Sequence, residues 1–392
     1  GLGKINKNLI PLALGCIFCF LNRIVNQSKE TELFNNIILT NIFISAANLL
    51  IIIPYIISIF RSKKVGNNNT NNKNNNNNVQ NNLSTGNISL EGSSLEYIYL
   101  DVKVKVEEIK YKKLFILLIA FIFFANYCMF VYTFKLKTNT WIMFILFVSI
   151  FYYLLFKSKL YRHHYLSIII ILILGIVIDI ILGNYTTGEN NYYLLITFSI
   201  LRIILLSFNY VLIKYTIEKK YVSLYTIGFF SGILNLIFFI IFAILDSYFF
   251  HLNDYKRYFE NFKSSELLII FGLMFTQLGL YTTTFFIDKN ESPCHIFIVF
   301  VFGQFAYYFQ NFELPEGSGI VIVCLILILF FSLVFNEIIE LNFFGLSFNT
   351  KKNIAFRAEN ELVATIRRES EESIESFDEM TELPNKVSDE YQ

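Results

Sequence analysis

Residues 193–213 read YLLITFSILRIILLSFNYVLI. The run is about as long as a helix needs to cross a hydrocarbon core ~30 Å thick at a rise of ~1.5 Å per residue. No water reaches that core, so the backbone must satisfy its own hydrogen bonds, and a membrane-spanning helix is the expected form. The many Ile, Phe and Tyr residues do not argue for strands. Transmembrane strands need only ~10 residues of alternating polarity, and this run does not alternate.

The same pattern recurs on both sides of it. Spans are expected at 9–25, 34–60, 114–134, 141–156, 165–182, 193–213, 224–245, 267–287, 293–308 and 317–335. Polar brackets such as Lys137-Thr138-Asn139 and Asp288-Lys289-Asn290-Glu291 set off the shorter ones, and Pro54 and Pro293 are expected to kink or start helices. Composition agrees: 55% of residues are hydrophobic and 16% charged, against roughly 25% charged in a soluble domain. A near-neutral net charge gives no sign of a nucleic-acid partner; the partner implied is the lipid bilayer. All five cysteines (Cys16, Cys19, Cys128, Cys294, Cys324) fall inside hydrophobic runs, which excludes a disulfide-stapled ectodomain and makes Cys16 and Cys19 buried packing. The chain opens on Gly rather than Met; no cleavable signal peptide is visible, and the first run reads as a genuine helix.

Two segments are expected outside the bilayer. Residues 61–113 carry Arg61, Lys63 and Lys64, then an asparagine tract from Asn67 to Asn82, then Lys103, Lys105, Glu107, Glu108 and Lys110. A stretch that polar cannot bury enough surface to fold and is expected to be disordered. Residues 336–392 form an acidic tail. With ten spans, Lys4, Lys7, the 61–113 loop, Lys157, Lys159, Arg162, Lys214, Lys219, Lys220 and Lys289 fall on one side. The opposite side has fewer, chiefly Lys29, Lys135, Lys137, Lys256, Arg257 and Lys263, with Arg23 at a helix end. Positive charge marks the cytosol, so both termini and the asparagine loop are expected there, in an endomembrane or the plasma membrane. In that topology the sequons at Asn68, Asn82 and Asn87 stay unmodified, and Asn184 hugs the membrane.

A weak internal repeat is present at a spacing of about 155 residues. Phe151-Tyr152-Tyr153, a polar turn and an apolar run from Leu166 match Ala306-Tyr307-Tyr308, a polar turn and an apolar run from Ile320; Tyr127 to Thr138 aligns loosely with Tyr281 to Ser292. The fold expected is therefore all-α, a polytopic membrane protein of about ten helices in a 5+5 inverted repeat. Residues 1–182 form the first half, 183–335 the second and 336–392 the tail.

Thr133 to Thr140, a short helix, the basic turn Lys157 to His164 and an apolar helix carrying Gly175 make a distinctive layout. With Asn209-Tyr210-Val211-Leu212-Ile213-Lys214 in the second half, it resembles the drug/metabolite transporter superfamily, the ten-helix group that includes nucleotide-sugar transporters, over residues 9–340. The resemblance implies a solute carrier without naming its solute. It departs from sugar-phosphate members in lacking their lysine–arginine pair in the ninth helix, where Gln304 is the only deep polar side chain. It also lacks the cysteine-rich lumenal loop of the vacuolar drug-resistance transporters of malaria parasites. In the family the fifth and tenth helices lie outside the cavity, and 166–178 and 320–335 are nearly free of polar groups, apart from Ser167, Cys324 and Ser332. Such helices suit lipid or a homodimer contact.

Polar groups kept inside a membrane are costly and hence informative. Arg202 lies about 14 Å from either end of its span, where insertion is unfavourable by roughly 2.5–3.5 kcal/mol. Ser199 and Asn209 share its face. The functional reading is a cationic point for an anionic or hydroxyl-rich solute; the alternative is a structural pair with Asp179 or with helix-end carbonyls. Span two offers Asn41, Ser45, Asn48 and Tyr55. Span three has Asn126 and Tyr127, span seven Ser231, Gly232 and Asn235, and span eight Gln277, Tyr281 and Thr284. With Gln304 these make a candidate substrate-binding set, although each stripe could instead be glue between helices, worth ~0.6 kcal/mol per hydrogen bond.

Ser370, Ser373 and Ser376, following Arg367-Arg368 among acidic residues, resemble kinase sites, against a plain solvated tail. His163-His164 sits in a basic turn and is read as part of it, with no metal expected. No Walker-type loop, paired-carboxylate constellation or nucleophile–His arrangement is present, so neither cofactor nor enzymatic role is expected. The function expected is secondary-active transport of a small polar or anionic metabolite; the rival is a non-transporting scaffold or lipid-handling protein.

Overall fold

The computed structural model describes residues 9–26, 37–57, 111–133, 140–158, 160–181, 192–250, 264–310 and 318–341, with the single residues 350, 353 and 357. The asparagine loop and Ser370, Ser373 and Ser376 lie outside the described residues. Among the described residues every regular element is helical. The α-helices are α1 (Leu9–Asn26), α2 (Ile37–Asn48), α3 (Lys112–Thr133), α4 (Phe144–Phe156) and α5 (Arg162–Ile181). They continue as α6 (Tyr192–Lys219), α7 (Leu224–Leu245), α8 (Ser264–Asn290), α9 (Ile296–Gln310) and α10 (Ser318–Phe335). Stretches in α3, α5, α6, α7 and α8 are long and apolar enough to cross a membrane (Lys112–Phe130, Arg162–Ile181, Leu194–Lys219, Leu224–Phe249 and Leu267–Asn290). They mark the chain as an integral membrane protein. The other helices are apolar but shorter.

Local chemistry explains several boundaries. Proline at position 54 has no N–H for the carbonyl of Leu50, and the helix tightens to 3₁₀ geometry over Leu49–Ile51 at that point. Pro293 starts a 3₁₀ turn, Pro293–His295, that leads into α9. Ser223 caps α7, its hydroxyl accepting the Thr226 N–H at 3.2 Å. Lys157 ends α4 in the left-handed region, with φ 53°. One boundary moves against expectation. The apolar run of the eighth span stops at Ile287, yet α8 continues to Asn290 and takes Asp288 inside the helix.

The chain divides into two compact units, Gly1–Lys159 with Ile168–Ser332, and Leu160–Ser167 with Leu333–Gln392. In the first, α1 packs on α8 and α9, α2 on α7 and α8, α3 on α6 and α7, and α4 on α6. Small residues sit where the backbones come close. A Cβ at Gly279 of α8 would overlap the Phe18 ring of α1, and one at Gly303 of α9 would lie 2.7 Å from Cys19 Sγ. On α5, Ile169, Ile173, Ile176 and Ile180 are exposed along one stripe while Ile171 and Ile178 are fully buried. On α10, Ile320, Val323 and Ile326 are exposed while Leu325 and Ile328 are buried. Each helix thus offers an aliphatic outer face at helical spacing. In the second unit, Tyr161, His163, His164, Phe335 and Glu337 cluster together.

Candidate functional site

The polar residues of the first unit gather in its interior. Ser231 Oγ of α7 and Tyr281 Oη of α8 are hydrogen-bonded at 3.0 Å. The Tyr281 ring packs edge-on against Phe123 of α3 at 5.8 Å, and Phe123 in turn meets Tyr127 at 5.5 Å. Tyr127 closes the circuit on Phe239 of α7 at 5.6 Å. Tyr210 of α6 hydrogen-bonds Thr284 of α8 and lies within electrostatic reach of Tyr127 and Tyr281. Phenol groups from α3, α6 and α8 therefore converge.

Around them, polar atoms lie buried without a protein partner. These are Asn48 Oδ1 on α2, Asn126 Oδ1 on α3, both side-chain polar atoms of Asn209 and the Nε of Arg202 on α6, and Asn235 Oδ1 on α7. Asn48 also packs against Gly232, where a Cβ would lie 3.4 Å from its own. Buried polar groups in proteins are almost always paired, and each exception needs an explanation. All five of these residues belong to the set the sequence singles out.

Arg202 is the most pronounced case. Its guanidinium lies 5.0 Å from the centre of the Phe130 ring on α3, and the charge acting on it is another cation, Arg23 of α1. Arg23 itself runs beside Gly303 of α9, its Nε 3.8 Å from where a Cβ would stand. In the sequence Arg23 reads as a helix-end charge; only packing reveals that it answers Arg202.

Other expected residues behave differently. Ser199 Oγ bonds Thr140 Oγ1 at 2.6 Å, tying α6 to the 3₁₀ turn Thr140–Met143 that leads into α4. Asn41 and Gln304 are buried on α2 and α9, and Gln277 is half-buried on α8. A cavity of about 180 Å³ lies between α3 and α7, lined by Phe124, Phe238, Ile241, Phe242 and Leu245. Its lining side chains are all apolar, and none of the expected binding residues lines it.

The sequence reading missed two further buried titratable residues. Lys214, counted as a cytosolic loop charge, is 4% exposed. Its Nζ donates to the backbone oxygens of Lys289 at 3.2 Å and Glu291 at 2.6 Å, and it pairs with Glu218 at 2.8 Å. Asp288, likewise placed in a loop, is fully buried in α8, and neither of its carboxylate oxygens accepts a hydrogen bond. The signal that could have found them is spacing, since both sit within one turn of an apolar run.

In the second unit His163 Nε2 lies 3.3 Å and His164 Nε2 3.9 Å from Glu337 Oε1, and one ligand atom from each residue falls within 4.8 Å of the others. A tetrahedral Zn²⁺ would hold such atoms about 3.3 Å apart. However, the Tyr161 N–H donates to His164 Nδ1 at 3.0 Å, which leaves the proton of a neutral ring on Nε2, facing Glu337. That nitrogen is then a donor and cannot ligate. The contacts to Glu337 at 3.3 and 3.9 Å are ion-pair distances, and both ring nitrogens of His163 are buried without a hydrogen-bond partner.

Among known proteins, no family model matches the chain, and no curated protein matches it.

Proposed function

We propose that this protein is a secondary-active carrier of a small polar or anionic metabolite, with its solute site among α2, α3, α6, α7 and α8. The observation that carries the reading is the set of buried, unpartnered polar atoms on Asn48, Asn126, Arg202, Asn209 and Asn235. A hydroxyl-rich solute would supply the missing partners. Arg202 and Arg23 add two positive charges, and among the described residues no counter-charge acts on Arg202, which favours an anion. The layout resembling the drug/metabolite transporter superfamily supports the same class. So do the aliphatic outer faces of α5 and α10, which suit lipid or a second copy of the chain. Ten spans in a 5+5 inverted repeat, with cytosolic termini, complete the proposal.

A second reading has its own support. The apolar cavity between α3 and α7 suits an acyl chain, as a lipid-handling protein would require. Counter-exchange in liposomes separates the two. Purified protein is reconstituted in vesicles preloaded with unlabelled anionic metabolites and offered labelled ones. Trans-stimulated uptake is the expected result; none across the panel, with transfer of fluorescent lipid instead, would favour the rival. Topology is checked independently. A tag within 61–113 should be reached from the cytosol and one near Asn253 only from the opposite side.

A further inference from the structure

We propose that Asp288 is a proton-binding site, a carboxylic acid that exchanges its proton against the position of Lys214. The inference rests on the carrier reading only in its use, as the coupling step of transport; the site itself stands on geometry. Asp288 is fully buried, and both of its oxygens lack a hydrogen-bond partner. The cation nearest in charge is Lys214, but an ammonium has three protons to give. All three are committed, to the carbonyls of Lys289 and Glu291 and to the carboxylate of Glu218. A buried carboxylate with no donor is among the least tolerable groups in a protein interior. The neutral acid removes the difficulty, because it carries no charge to solvate.

The groups around it make the proton's departure consequential. Tyr210 and Lys214 on α6 act on Asp288, as does Tyr152 on α4, which is also within reach of Glu218 and Cys294. Lys289 follows Asp288 directly in α8, and the nearby turn adds Glu291, 3.9 Å from His295. When the O–H bond of Asp288 breaks, the proton leaves to water and the electron pair stays as a carboxylate. Among the described residues Lys214 is the cation that acts on Asp288. To answer the new charge it gives up one of its three acceptors, and Glu218, a side chain on the same helix, can move with it whereas the fixed carbonyls at the end of α8 cannot. The latch between α6 and the α8–α9 turn therefore loosens when the proton departs and re-forms when it returns. Proton occupancy and helix contact become one equilibrium.

The test reads the acid directly and needs no substrate, so its failure is distinct from failure of the liposome assay. Infrared difference spectra of the full chain in lipid are recorded across stepped pH. An unbonded, protonated carboxyl absorbs above the carboxylate and amide bands. The expected result is such a band in the wild type at neutral pH, bleached by an alkaline step and absent from Asp288→Asn. Should that variant fail to fold, Asp288→Glu must move the band. Identical difference spectra in wild type and variant, or a wild type without the band, would overturn the proposal.

Discussion

Helix α6 carries two cations within its apolar length, Lys214 buried and Arg202 half-buried, and they live in opposite circumstances. Lys214 has as many acceptors as it has protons. Arg202, about three turns earlier, has an aromatic face and another arginine. A guanidinium offers five donors in a rigid fork and holds its charge under nearly all conditions. The C-terminal part of the helix is therefore stapled, and its middle is left asking for an anion. Both residues are costly to bury, and only their partners separate architecture from function.

Removing the staple should have the largest effect. Lys214→Met deprives two carbonyls of a charged donor, each bond worth about 1.5–3 kcal/mol, so yield and melting temperature in detergent should both fall steeply. A Lys214→Met protein as stable as the wild type would erase the contrast between the two cations.

Arg202→Gln is the complementary experiment. It should melt near the wild type yet lose about ten- to a hundredfold in uptake of an anionic solute, the value of one charge-assisted hydrogen bond. Arg202→Lys should fall between, because a point charge replaces a planar fork. A badly folded Arg202→Gln protein would show that the arginine is as structural as the lysine.

Packing beside Arg23 sharpens the picture further. Gly303→Leu forces a side chain onto Cys19 and the Arg23 stem, an overpacking of about 1–3 kcal/mol. It should lower the melting temperature and, by displacing Arg23, weaken anion uptake beyond what stability explains. The smallest effect belongs to a polar pair that is already satisfied. Tyr281→Phe breaks the bond to Ser231 and should cost about 0.5–1.5 kcal/mol in a thermal melt.

Much of this is legible in the amino-acid sequence. The long apolar helices follow from run length alone, and the unpartnered asparagines at 48, 126, 209 and 235 stand out as polar residues in a solvent that penalises them. Lys214, Asp288 and Arg23 do not. Hydropathy treats a charge at the edge of an apolar run as solvated, because at that edge the chain can leave the bilayer. Here α8 runs on past Ile287, and Lys214 finds its acceptors on a helix far away in sequence. Neither fact is local. Arg202 is conspicuous in its span from hydropathy alone, but its cationic neighbour comes from α1, a helix whose sequence points only to packing.

The 3₁₀ start of the short apolar helix Thr140–Phe156 has a consequence for which membrane suits the protein. A 3₁₀ turn rises ~2.0 Å per residue, so the four residues of Thr140–Met143 followed by the thirteen of α4 reach about 28 Å. In a ten-span arrangement that segment is matched to a bilayer of ~27 Å and falls short in one of ~32 Å, where lipid must thin around it. Hydrophobic mismatch then becomes a property of the host membrane acting on the protein, and, on the proposed carrier function, vesicles of short-chain lipids should support faster exchange than those of long-chain lipids. Acyl-chain length would then act as a selector of compartment.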